Sequence, residues 1–371
     1  RVNLNQIIIN IMVVFMVLAA LDRCIGCRFG LGGKLDEALA TMGPMCIPMV
    51  GMILLAPSIG NLLEPLVSPI FTAMGADPAI FAGSILACDM GGYPLALRMA
   101  QDPQAGLLSG CILACSLGGV ISFIIPVGIT MVRKEYHSSF AVGVLTGVIT
   151  VPLGMFAGGL AAGYPVKMLL HNTFPVVLIS LAITLGLWRA QALLIRIFGV
   201  FGRILTAVSV FGVAVGVIQE LTPLVIMPGL TPVLDAVGVV GSVAIVLCGA
   251  YPMLAVINRV FGRAIQKAGS FLGIDQTATT GIVGGFANIM PILGSCNDMS
   301  PAGVAVSMAF AISASCVFGD HLGFVASVDK SMIVPMIVSK FVGGFSALFL
   351  AAWLSRKLKL SNVVMKDDTK A

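Results

Sequence analysis

The sequence predicts an all-α polytopic membrane protein, and three features of it do so. Hydrophobic residues make up 58% of the chain and charged residues only 10%, against roughly 25% charged in an average soluble domain. The apolar residues also gather into runs long enough to cross a hydrocarbon core about 30 Å thick. These lie near 4–21, 39–57, 78–97, 104–132, 139–163, 174–188, 200–219, 236–257, 276–296, 302–328 and 331–354. Finally, the chain repeats itself. At a constant offset of 198, Gly43 meets Gly241, Gly51 meets Gly249, Gly75 meets Gly273, Asp77 meets Asp275, Gly83 meets Gly281 and Pro103 meets Pro301. Gly and Pro fix backbone geometry, so matches concentrated in them point to one architecture built twice.

Taken in order, the first run, Ile7–Leu21, lacks a basic n-region and a small-residue cleavage site and reads as a retained span. The bias of Lys and Arg sets the orientation of the rest. Eleven crossings would leave Arg133–Lys134 and Arg189, Arg196 and Arg203 outside. The longest runs, 104–132 and 302–328, carry Gly118–Gly119 and Gly319–Asp320 near their middles. If both are re-entrant hairpins, nearly every basic residue, Arg98 included, faces the cytoplasm, and only Arg1, Lys167 and Lys330 lie outside. Nine crossings plus two hairpins follow, with eleven crossings as the alternative. The chain then divides into a first repeat (1–163), a linking transmembrane helix (164–198), a second, inverted repeat (199–355) and a cytoplasmic tail (356–371). The stretch 259–272 places Arg259, Arg263 and Lys267 on one helical face and reads as an interfacial helix.

The net charge of +5 is small, and basic residues never gather with aromatic ones, which argues against nucleic acid as a partner. Cys24 and Cys27 form a lone C-x-x-C with no second pair and no nearby His, so neither a metal nor another cofactor is expected. No H-E-x-x-H or G-x-S-x-G occurs, and no catalytic residues are expected. The enzyme alternative is an intramembrane aspartyl protease, where paired carboxylates activate water. Val317-Phe318-Gly319-Asp320 lacks the additional upstream Gly of that pattern.

Inverted repeats with corresponding interrupted spans are marks of secondary transporters, which hold substrate where the helices break. Segment 78–97 carries Cys88-Asp89-Met90-Gly91-Gly92-Tyr93-Pro94, and its counterpart 276–296 carries Gly284-Gly285 and Asn288-Ile289-Met290-Pro291. A carboxylate at the bilayer centre costs about 2.5–3.5 kcal/mol, so intramembrane ionisable groups are functional candidates. Those here are Asp89, Asp320, His321 and Lys340. The expected substrate-binding set is Asp89, Asp320, His321, Asn288, Tyr93, Met90, Gly91, Gly92 and Gly319, with Lys340 balancing charge. The expected partners are a small cationic amine and the bilayer, and a homo-oligomer is left open. Each candidate has a plainer reading. Asp89 could cap a half-helix, Asp320 and His321 could bond each other, and Lys340 could pair with an Asp or snorkel. Tyr93 could be packing, and Asn288 could satisfy broken backbone rather than a substrate hydroxyl.

Cys88-Asp89-Met90-Gly91-Gly92, Gly249-Ala250-Tyr251-Pro252-Met253 and Gly319-Asp320-His321-Leu322-Gly323-Phe324 together resemble the bacterial ethanolamine-utilisation membrane proteins of the EutH type. Asn5-x-Ile7-Ile8, Ala19-Ala20-x-Asp22-Arg23 and Phe341-Val342-Gly343-Gly344 share the likeness, which extends over nearly the whole chain. The resemblance implies an ethanolamine permease of the bacterial inner membrane, feeding a cobalamin-dependent lyase in the cytosol. It brings no binding residues with it. The acids fit that substrate, which is mostly an ammonium ion at neutral pH. His321 is expected to set the charge state of Asp320. The alternative is a transporter or channel for another small amine or metabolite.

Overall fold

Apolar runs in hydrocarbon become helices because their N–H and C=O groups find partners only within the segment. The computed structural model describes residues 4–358. The first unit comprises α1 (Leu4–Cys24), a short α2 (Gly32–Ala40), α3 (Met42–Ala73), α4 (Ala79–Ile85), α5 (Gly92–Met99), α6 (Pro103–Met131) and α7 (His137–Ala161). After α8 (Val166–Arg189) come α9 (Gln191–Leu221), α10 (Val233–Leu272), α11 (Gln276–Gly285), α12 (Met290–Ser295), α13 (Pro301–Ala314), α14 (Asp320–Val328) and α15 (Ile333–Lys357). No strand occurs among the described residues, and eight helices are long and apolar enough to cross a membrane. The chain is a multi-pass membrane protein.

At the offset of 198, α1 falls on α9, α3 on α10, α4 and α5 on α11 and α12, and α7 on α15. The unbroken α6 falls on the pair α13 and α14, and α8 stands between the units. With one span separating units that each cross an even number of times, the second unit is upside down relative to the first. Glycines let the helices close on one another, Gly154 against Gly343 and Gly212 against the Gly51 backbone.

Length and hydropathy predict re-entry at 104–132 and 302–328; the structure puts it elsewhere. α6 is a continuous helix, wound in wide π turns over Leu108–Gly118 and Val120–Ile124. The hairpins are α4–α5 and α11–α12. Asp77, just before α4, accepts the N–H groups of Gln101 (3.0 Å) and Asp102 (2.8 Å), just after α5. Its equivalent Asp275 accepts the N–H (2.8 Å) and hydroxyl (2.6 Å) of Ser300. Each excursion therefore starts and ends at one carboxylate. In the second hairpin Gly284 lies beside Pro291 and Gly281 beside Ser295, so the arms run antiparallel. Helical arms of six to ten residues are only about 9–15 Å long, too short to cross.

Moving the hairpins preserves the charge bias except at Arg98, which now belongs to the outer face, beside Asn61 and Glu64 on α3. Other boundaries also shift. α9 begins at Gln191, ahead of the predicted boundary at 199, and continues straight through the basic stretch. The last turns of α10 absorb 259–272, which is not a separate interfacial helix, and Arg259 there donates to the Phe29 carbonyl (2.7 Å). α15 runs on to Lys357; the rest of the predicted tail, 359–371, and Arg1 lie outside the described residues.

Asp275 also caps α11 by accepting the Ala278 N–H (2.8 Å). Burial works against its charge, but the bonds from Ser300 and Ala278 outweigh it and hold the carboxyl below the usual range. A carboxyl depressed in this way stabilises the fold above its unfolded value, about 4, and loses that contribution as pH falls. Asp275→Ala is expected to lower stability by about 1–3 kcal/mol, the cost of stranding partly buried donors. The melting temperature in detergent at pH 7 should drop accordingly, and an unchanged value would show that the clasp contributes nothing.

Candidate functional site

The tips of the two hairpins, arriving from opposite faces, meet the break between α13 and α14 and the π-wound stretch of α6. Between them lies a cavity of about 390 Å³. Its polar wall is Asp89 from the first tip, Asn288 from the second, and Ser315, Asp320 and His321 from the break. Met90, Phe123 and Met49 are among its apolar lining. A larger cavity of about 880 Å³, bordered by Arg196 and Arg203, shares Pro48, Met90 and Phe123 with it.

Asp89 sits in a single 3-10 turn, Cys88–Met90, between extended Ala87 and left-handed Gly91 (φ 91°). A side chain at Gly91 would be strained by that φ and would meet Met52, and one at Gly92 would strike the Leu86 carbonyl. Gly91 and Gly92 thus shape the tip rather than line the cavity. Asp89 makes no cap bond to α5, and no other described residue donates to its carboxylate. It is the open acid of the site.

Asp320 opens α14 and is already held: Tyr251 donates its hydroxyl to Oδ1 (3.1 Å), and the Asn288 amide donates to Oδ2. The orientation of Asn288 is fixed because its Oδ1 accepts the Met290 N–H (2.8 Å) at the start of α12. The amide nitrogen is left to face the acid. Asn288 therefore satisfies both broken backbone and a carboxylate.

The break itself is stitched to the second tip by backbone bonds. Cys316 N–H reaches the Gly285 carbonyl (2.8 Å), Phe318 N–H that of Phe286 (2.9 Å), and Asp320 N–H that of Ala287 (3.4 Å). These bonds satisfy groups that a helix break would otherwise leave bare in an apolar setting. Gly319 permits the approach, since a Cβ there would land on the Ala287 carbonyl.

Other expected roles change. Lys340, only 1% exposed, balances no carboxylate. Its Nζ donates to the carbonyls of Cys115 (2.7 Å), Ser313 (2.9 Å) and Ser315 (2.8 Å). His321 does not bond Asp320, and its Nδ1 is buried without a partner. Tyr93 packs edge-on against Phe324 at 5.7 Å between ring centroids and does not line the cavity. The residue that sequence reasoning missed is Tyr251. Its signal was a phenol followed by Pro252 in the middle of a long span, where a buried hydroxyl needs a partner.

The family described as "Ethanolamine utilisation protein, EutH" matches residues 4–354. The chain belongs to the EutH family. The "Probable ethanolamine permease EutH" of Listeria monocytogenes is 43% identical over 360 residues, covering 97% of this chain and 96% of the relative. The protein of the same name in Escherichia coli is 36% identical over 392 residues, with 95% and 96% covered. "Uncharacterized protein YxeR" of Bacillus subtilis is 41% identical, with 95% of each chain covered. No solved structure matches the chain. Both hairpins, the break and Lys340 fall inside the stretch matched by the EutH family.

Proposed function

We propose that this chain carries ethanolamine, as its ammonium ion, across the bacterial inner membrane. The observation that supports it most is that Asp89 and Asp320, from opposite repeats, line one cavity. Asp320 already accepts two hydrogen bonds and Asp89 none from another residue. An ammonium with three donors has its strongest available partner in Asp89, through a charge-assisted bond. Ser315 and His321 also line the cavity and provide polar groups for the substrate hydroxyl. At about 390 Å³ the cavity lies at the small end of the ~300–1,000 Å³ range of small-molecule pockets, as a small amino alcohol requires. The relatives named as probable ethanolamine permeases support ethanolamine as the substrate.

The test is counterflow with the purified chain in liposomes. Preloading with unlabelled ethanolamine should accelerate uptake of labelled ethanolamine several-fold, and preloading with propylamine, which lacks the hydroxyl, should do so less. An open pore would show no acceleration. Uptake no faster than into protein-free liposomes would remove the substrate assignment.

A further inference from the structure

The three carbonyls around Lys340 form a site of their own, which adjoins the substrate cavity at Ser315. Ser313 and Ser315 end α13, where the last carbonyls of a helix lack intrahelical partners and the helix dipole is negative. Cys115 comes from the π-wound stretch of α6 and is the repeat equivalent of Ser313, at the same offset of 198. The two repeats thus present matching backbone oxygens to one buried point. Half-helix C-termini and unwound carbonyls are where transporters built from inverted repeats coordinate a driving cation. Neutral carbonyls without a carboxylate suit a monovalent ion, since divalent ions draw on carboxylates. Here the ion is supplied by the chain. Lys340 fills the point with an ammonium whose three donors are all used, and its own repeat equivalent is the uncharged Val142.

We propose that Lys340 is a tethered replacement for a coupling cation, a monovalent-ion site permanently occupied by the protein, so that transport requires no sodium. The inference rests on the carrier reading above. It assigns Lys340 as a positioning residue, holding the end of α13 against α6 beside the break that bears Asp320.

Two measurements test it. Initial rates of ethanolamine uptake into proteoliposomes, at a clamped membrane potential, should agree within about twofold in sodium and in N-methylglucamine; roughly tenfold stimulation by sodium would overturn the inference and leave the carrier reading standing. Uptake in neither salt would overturn the carrier reading instead. Lys340→Ala should lower uptake about tenfold in N-methylglucamine, with most of the loss restored by sodium or ammonium entering the vacated space. Lys340→Met, whose side chain fills that space, should not be restored. An alanine variant that transports like wild type without added ion, or that folds yet responds to neither ion, would overturn the inference. Should the alanine variant fail to fold, the wild-type salt comparison decides.

Discussion

Asp89→Asn should weaken the apparent affinity for ethanolamine about 100-fold, because removing one member of a buried charge pair costs about 2–5 kcal/mol. The substitution keeps the shape of the side chain and removes only its charge. No other described residue donates to this carboxylate, so no protein partner is stranded and the 3-10 turn at the tip has no reason to shift. Uptake measured across ethanolamine concentrations, with the melting temperature as a control for folding, reads the effect directly. A variant with wild-type affinity would remove Asp89 from the site and with it the central contact of the proposed mechanism.

The second large effect is expected at Gly319. Gly319→Val should destabilise the protein by about 3 kcal/mol or more, beyond ordinary overpacking, because the atom in the way is backbone rather than a flexible side chain. The valine cannot be accommodated without parting the break from the second hairpin tip and losing the bonds to Gly285, Phe286 and Ala287. The yield of monodisperse protein and its melting temperature in detergent should both fall. Gly33→Ala, at a glycine with open space around it, should change neither. A Gly319→Val protein that melts like wild type would show that the seam between break and tip is not as tight as described.

The fold class was legible because excluding charge over such long runs has no other economical explanation, and the repeat was legible because Gly and Pro carry backbone geometry into the sequence. Which runs re-enter was not legible. Two short arms and a tip add up to the same apolar length as one crossing, so hydropathy scores α4–α5 like a span. What separates them is the closure at the root. Asp77 and Asp275 stood out in the self-comparison, but their partners lie 24 or 25 residues on and include backbone N–H groups that any residue supplies. Among the residues that line the cavity, Asp89, Asp320 and Asn288 were readable from the cost of burying polar groups at a break. The alternative in which His321 and Asp320 bond each other failed for a geometric reason: successive residues on a helix point in different directions. The partners of Lys340 were invisible because carbonyls leave no mark in sequence, and Tyr93 was misplaced because α5 turns that side of the helix toward Phe324.

The main-chain stitching between 285–287 and 316–320 joins the second tip to the broken helix through three backbone hydrogen bonds. In the proposed carrier, Asp320 and Asn288 would therefore move together. The Tyr251 hydroxyl reaches Asp320 from α10, outside that seam. Its bond ties α10 to that seam, so a probe of the phenol would report any change in how the two fit together.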